Sequence, residues 1–289
     1  MKPEIRAAVR EIRSDRERGA RQLALATLEA LRSVAPECGG EEFRECAREL
    51  ALARPMMATT QNAVAWAWSR YLDTGDASKA VDDVIEAIQT ATDGMAAAAR
   101  RVIPTDTLLT YSYSSSVIEL LARLKPRRVI VSESRPSLEG IRMARDLAAH
   151  GMSMTLITEA QMALFVQEAG AVVVGADTIL PGGDLINRIG TRMLALAAKD
   201  ADVPLYSISD TLKVTAPSSP MPFAPEEGEP KEVCEAKWLE VRNVYYEMTP
   251  ARLLSAYVTE TGIMDPAAVG RYAEEAEKRW RALMDSLEA

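Results

Sequence analysis

The sequence predicts an α/β chain in which an N-terminal helical domain, residues 1–104, precedes a domain built on a mainly parallel sheet, residues 105–289. Three observations carry this reading. Apolar residues in the first hundred positions recur at helical spacing, whereas from Asp106 onward short apolar runs alternate with helical patterns, the mark of parallel strands joined by crossover helices. A hydrophobic content of 48% over 289 residues is enough for a sizeable buried core. No apolar run approaches the roughly 20 residues that a bilayer span requires.

In the first domain, Ile5, Val9 and Ile12 fall at i, i+4 and i+7, and Ala24, Leu28 and Leu31 repeat the spacing, so each set lies on one helix face. Gly19 interrupts the pattern between them. A break at Pro36 to Gly40 is followed by helices expected at 41–53, 60–71 and 78–101, the first of them stopped by Arg54-Pro55.

In the second domain, strands are expected at 107–111, 128–131, 154–157, 171–174 and 204–208, and helices at 115–124, 138–149, 159–168 and 185–199. Thr215 to Pro230, with five prolines, reads as a surface loop. Further strands are expected within 238–246, a short helix after Thr249-Pro250, and a last helix over 266–287. Parallel sheets bind ligands at the carboxyl ends of their strands. Attention therefore falls on the polar residues just past each run: Ser112 to Ser116, Glu133-Ser134-Arg135, Thr158-Glu159, Gly175-Ala176-Asp177 and Ser209-Asp210-Thr211.

Composition removes several classes of function. A net charge of −8 argues against direct nucleic-acid binding, which needs a basic field. Three cysteines, Cys38, Cys46 and Cys234, without a Cys-x-x-Cys pair and with one histidine, exclude a disulfide framework and make a metal site an unfavoured reading. His150 reads as a helix-end imidazole. There is no Gly-x-Ser-x-Gly elbow, no Gly-x-Gly-x-x-Gly after a strand and no Walker loop, so neither a serine hydrolase, a nicotinamide site nor a P-loop is supported. No cofactor is expected. The charged N-terminus resembles neither a signal peptide nor a membrane anchor, and a cytoplasmic protein without a membrane partner is expected.

The segment from Val174 to Thr191 concentrates the candidate chemistry. An apolar run ends at Asp177, passes Pro181-Gly182-Gly183 and enters an expected helix whose opening carries Asn187, Arg188 and Thr191. Strand, glycine loop and helix N-terminus in that order make an anion-binding corner. A carboxylate at the mouth of such a corner can move a proton, although an acid after a strand can equally cap the next helix. Arg135 suits a bidentate phosphate contact or a plain surface position. Asn187 and Arg188 are first-turn helix residues or contacts to a hydroxyl and a phosphate. Ser114 to Ser116 read as a cap for the helix that follows them.

Gly175-Ala176-Asp177, Gly183, Asn187-Arg188-Ile189-Gly190-Thr191 and the run Leu194 to Lys199 resemble the signature of one superfamily. It contains the alpha, beta and delta regulatory subunits of translation initiation factor 2B, methylthioribose-1-phosphate isomerase and archaeal ribose-1,5-bisphosphate isomerase, the last being nearest in pattern. The likeness extends to Arg18-Gly19-Ala20, Arg54-Pro55 with Asn62, Glu133-Ser134-Arg135-Pro136 with Glu139-Gly140, Asn243, Thr249-Pro250 and Thr259 to Gly262.

The resemblance implies a Rossmann-like second domain, a homodimer or larger homo-oligomer, and a sugar-phosphate pocket between the domains. By the resemblance Asp177 is the acid/base residue, while Arg18, Gly19, Arg54, Arg135, Gly183, Asn187 and Arg188 line phosphates and hydroxyls. The family's lysine is Arg188 here, and its catalytic cysteine aligns with Ser112, whose hydroxyl is a much poorer acid than a thiol. Two functions follow as expectations. One is an aldose–ketose isomerase of the ribose-1,5-bisphosphate type acting on a phosphorylated sugar, with Ser112 or water giving the ring-opening proton. The other is a non-catalytic initiation-factor-2B-like subunit that binds a sugar phosphate or nucleotide and acts through a translation-factor partner.

Overall fold

In the computed structural model, which describes residues 2–15, 18–55, 57–219, 227–236 and 238–285, the architecture is mixed α/β as expected. Five helices come first: α1 (Pro3–Ser14), α2 (Ala20–Val34), α3 (Gly40–Ala51), α4 (Ala58–Thr74) and α5 (Ala77–Ala99). Strands and helices then alternate through β1 (Thr107–Thr110), α6 (Ser115–Leu124), β2 (Arg128–Ser132), α7 (Glu139–Ala149), β3 (Ser153–Ile157), the single turn α8 (Met162–Phe165) and β4 (Ala171–Val174). A hairpin of β5 (Thr178–Ile179) and β6 (Leu185–Arg188) precedes α9 (Thr191–Asp200) and β7 (Leu205–Ile208). After these come β8 (Tyr246–Thr249), β9 (Ala256–Thr259), β10 (Gly262–Met264) and α10 (Gly270–Met284).

The chain forms two compact units: one of Met1–Ala91, Leu212–Phe223 and Val269–Ala289, the other of Thr92–Thr211 and Ala224–Ala268. This partition differs from the continuous 1–104 and 105–289 division. The last helix and a returning segment join the helical unit because its central helix needs covering on several sides. The first ten residues of α4 are almost all buried, and the helix packs against α2, α3 and α10. Trp280 and Leu283 of α10 enter the same apolar cluster as Leu28, Phe43, Leu50 and Trp68. The Asn62 amide holds the returning segment by donating to the carbonyls of Leu212 and Val214 at 2.6 and 2.7 Å.

The second unit carries a seven-stranded sheet in the order β10-β9-β7-β4-β1-β2-β3, parallel except for the antiparallel edge strand β10. From β1 the chain moves outward through β2 and β3, then returns to the other side of β1 with β4. That reversal opens a crevice beyond the carboxyl ends of β1 and β4, the favoured ligand position in such sheets. Strands β5, β6 and β8 form a separate antiparallel sheet. Among the described residues no helix is long and apolar enough to cross a membrane.

Three expected elements differ. Residues 159–168 are not one helix but two 3-10 turns, Glu159–Gln161 and Val166–Glu168, on either side of α8. Residues 185–199 are not one helix: 185–188 form β6, pairing with 246–249, and the helix begins only after Gly190, whose φ of +102° breaks the strand. Within 238–246 a strand starts only at Tyr246, preceded by an isolated bridge between Glu227 and Val244. Part of the expected loop, residues 220–226, and the end of the expected last helix, 286–289, lie outside the described residues.

Candidate functional site

Tyr111-Ser112 follows β1, and the backbone turns sharply there. Ser112 has φ +64° and is 4% exposed, with its N–H donating to the Ser134 hydroxyl at 3.0 Å. Ser134, just past β2, also lies in the left-handed region at φ +61°, and its N–H donates to Glu159 at 2.6 Å. Two adjacent strand ends are thus bent to the left-handed conformation, an unusual state for residues with a side chain and one that needs support from its surroundings. Ser114 caps α6 as expected, accepting from the N–H of Val117.

The Ser112 hydroxyl donates to Oε1 of Glu139, the first residue of α7. Gly140 lets α7 start this close to β2, because a Cβ there would run into the carbonyl oxygen of Ser132. Glu139 is then gripped by Arg188 of β6, whose Nε reaches Oε1 at 3.1 Å and whose Nη2 reaches Oε2 at 2.9 Å. The Arg188 guanidinium lies 5.3 and 5.0 Å from the ring centres of Tyr245 and Tyr246. Burial alone would lower the Arg188 pKa, but Glu139, with smaller contributions from Tyr246 and Asp177, raises it above the ordinary arginine value. Arg188 is therefore a fixed cation. Tyr111 donates its hydroxyl to the carbonyl of Ile189 and stands well above the ordinary phenol range, chiefly through burial and also through nearby carboxylates. Tyr111, Ser134, Arg135, Glu139, Arg188 and Tyr245 are among the residues lining a narrow pocket.

Asp177 follows β4 and is half-buried; its N–H donates to the carbonyl of Ile186 at 3.0 Å, which ties the strand end to the hairpin. Arg135 is exposed, with Nη2 donating to the carbonyl of Val233 at 3.0 Å. The second unit thus brings Arg135 and Arg188 to one pocket, ties Ser112 to that pocket through Glu139, and sets Asp177 within electrostatic reach of Arg188.

Other expected site residues are engaged elsewhere. Successive side chains of a strand face opposite ways, so Asn187 does not share a face with Arg188; it is buried, and its amide donates to Thr191 at 3.0 Å. Gly183 has φ +85° in the β5–β6 turn. Its N–H serves the carbonyl of Leu180 at 2.8 Å, and its own carbonyl accepts the Tyr257 hydroxyl at 2.8 Å. Its role in this structure is to close a turn. The N-terminus of α9, expected as the anion corner, is filled by the chain itself, since the N–H groups of Gly190 and Arg192 both donate to Oε1 of Glu247, at 2.7 and 2.9 Å.

Arg18, Gly19 and Arg54 belong to the helical unit. Arg18 pairs with Asp15 and Glu11, the latter at 2.6 Å, while Arg54 donates to the carbonyl of Asp15 at 2.7 Å. Gly19 caps α2 with its N–H on Gln22.

Glu139 is the residue that sequence reasoning named without giving it a role. The signal available was its place, an acid at the start of a helix just beyond a strand of the predicted parallel sheet.

The model of the Initiation factor 2 subunit family matches residues 16–266. A Pyrococcus abyssi protein named as eIF-2B subunit 2-like is 30% identical over 271 residues, 89% of this chain and 94% of its own length. A ribose 1,5-bisphosphate isomerase of Archaeoglobus fulgidus is 30% identical over 292 residues, 91% of this chain and 90% of its own. The crystal structure of translation initiation factor eIF-2B from Pyrococcus horikoshii superimposes with a TM-score of 0.75 at 28% identity, covering 92% of this chain and 98% of that one. With the family match spanning most of its length, this chain belongs to the Initiation factor 2 subunit family.

Proposed function

We propose that the chain is a sugar-phosphate aldose–ketose isomerase of the ribose-1,5-bisphosphate type. The observation that carries the reading is the placement of two candidate proton carriers at the strand reversal. Asp177 and Ser112 follow the two strands that flank it, and both are tied to one cation, Asp177 through its field on Arg188 and Ser112 through Glu139. Arg188 and Arg135 hold phosphate in the pocket they line. Ser112 or a water protonates the ring oxygen as its bond to C1 breaks; the hydrogen on C2 then shifts as hydride to C1 while Asp177 takes the proton of the 2-hydroxyl, which leaves a carbonyl at C2. The relative named ribose 1,5-bisphosphate isomerase supports this substrate class.

One observation favours a second reading. The Ser112 hydroxyl is already committed to Glu139 and is a weak acid beside a thiol, which suits a pocket that binds without turning over. On that reading the chain is an initiation-factor-2B-like regulatory subunit acting through a partner surface. Incubating the purified protein with ribose 1,5-bisphosphate and related sugar 1-phosphates, with product followed by NMR, separates the two. Conversion of any member supports the isomerase. Binding across the panel without conversion, together with a stable protein complex, supports the subunit.

A further inference from the structure

Arg188 commits Nε and Nη2, the pair of donors that fits a phosphate bidentately, to Glu139. The two side chains are 27% and 18% exposed, so water screens their attraction only in part. Neither partner is free to drift. Glu139 is set by the close start of α7 against β2 and receives the Ser112 hydroxyl as well, while Arg188 lies against Tyr245 and Tyr246. Before a ligand arrives, the pocket holds an internal anion on its own cation. A phosphate reaching Arg188 must take the place of that carboxylate or lie beside it against like-charge repulsion. A dianion can compete, because it offers more charge to the same two donors than a carboxylate does. A ligand carboxylate or a neutral sugar cannot.

We propose that Glu139 is a specificity-determining gate that reserves Arg188 for a phosphate dianion and keeps weaker anions out. The proposal rests on only one part of the functional reading, that this pocket receives a sugar phosphate, and is independent of whether turnover follows.

The test is calorimetric titration of the intact protein with ribose 5-phosphate, and with ribonate as the carboxylate counterpart. Glu139→Gln removes the charge with little change of shape and should bind both probes about tenfold or more tightly than the wild type, the effect of deleting one close like charge. Selectivity for phosphate over carboxylate should narrow at the same time. Glu139→Asp, which keeps the charge but shortens its reach, should fall between wild type and Glu139→Gln and gives a second reading if the glutamine variant folds poorly. The gain should vanish when Arg188→Met is added, since the gate acts through that cation. Equal or weaker binding by Glu139→Gln overturns the proposal, as does a gain that survives loss of Arg188, or absence of binding in every variant. Turnover by the wild type with no gain in Glu139→Gln defeats the gate alone. A gain without turnover on any sugar phosphate defeats the isomerase reading and leaves the gate standing.

Discussion

Arg188 and Glu139 stand 49 residues apart in the chain, yet two guanidinium N–H groups of one meet both carboxylate oxygens of the other, and Ser112 adds a third donor to the same carboxylate. The pair joins the β5–β6–β8 sheet to the carboxyl edge of the main sheet. Its exposure lies between that of surface ion pairs, which contribute below about 1 kcal/mol, and that of fully buried ones, whose disruption costs about 3–5 kcal/mol. Arg188→Met should therefore lower unfolding stability by about 1–3 kcal/mol and abolish sugar-phosphate binding, measured by urea denaturation and calorimetry. A variant of unchanged stability would show that the contact is incidental.

Asp177→Asn keeps the side-chain shape and removes its ability to carry a proton. If Asp177 is the base, turnover should drop at least about a hundredfold while ligand affinity stays near that of the wild type. Parallel NMR rate assays and titrations would decide this. Unaltered turnover would take Asp177 out of the mechanism.

The layers of the fold were legible because each rests on local pattern: helical spacing in the first hundred residues, and apolar runs alternating with helices after Asp106. The small sheet was not, since β6 pairs with β8 across some 60 intervening residues and Leu185-Ile186-Asn187-Arg188 has apolar spacing that a helix also accepts. Misplacing that strand put Asn187 and Arg188 on one helix turn, whereas strand alternation separates them and leaves only Arg188 in the pocket. Ser112 and Asp177 could be placed at strand ends from sequence. That Glu139 would close on Arg188 depends on where α7 begins, a matter of packing between Gly140 and Ser132.

That packing is itself testable. Gly140→Ala places a methyl group against the Ser132 carbonyl, which is backbone of a buried strand paired on both sides and cannot move aside cheaply. Overpacking of this sort costs about 1–3 kcal/mol. The variant should unfold earlier in urea and, because the start of α7 must shift, bind ribose 5-phosphate differently from the wild type. Stability and affinity both equal to wild type would mean that α7 does not position Glu139.

Glu260 gives the stability a pH dependence of defined sign. Its carboxyl accepts the Thr211 N–H at 3.1–3.2 Å and the Thr211 hydroxyl, yet burial, with Asp210 nearby, raises its pKa above the ordinary glutamate value. Asp210 is itself buried, and among the described residues its Oδ1 has no hydrogen-bond partner. A carboxyl whose folded-state pKa is raised binds its proton more firmly in the folded than in the unfolded chain. Its favourable contribution is complete below the unfolded value and is lost as pH rises through the folded one. Glu260→Gln is neutral throughout, and its side-chain oxygen can still accept from Thr211. Unfolding free energies of wild type and variant, compared from about pH 4 to about pH 7, should diverge with rising pH in favour of the variant, while other carboxylates cancel in the difference. Parallel curves would show that Glu260 titrates alike in the folded and unfolded chain and that the buried acids beyond β7 and β9 impose no penalty at neutral pH.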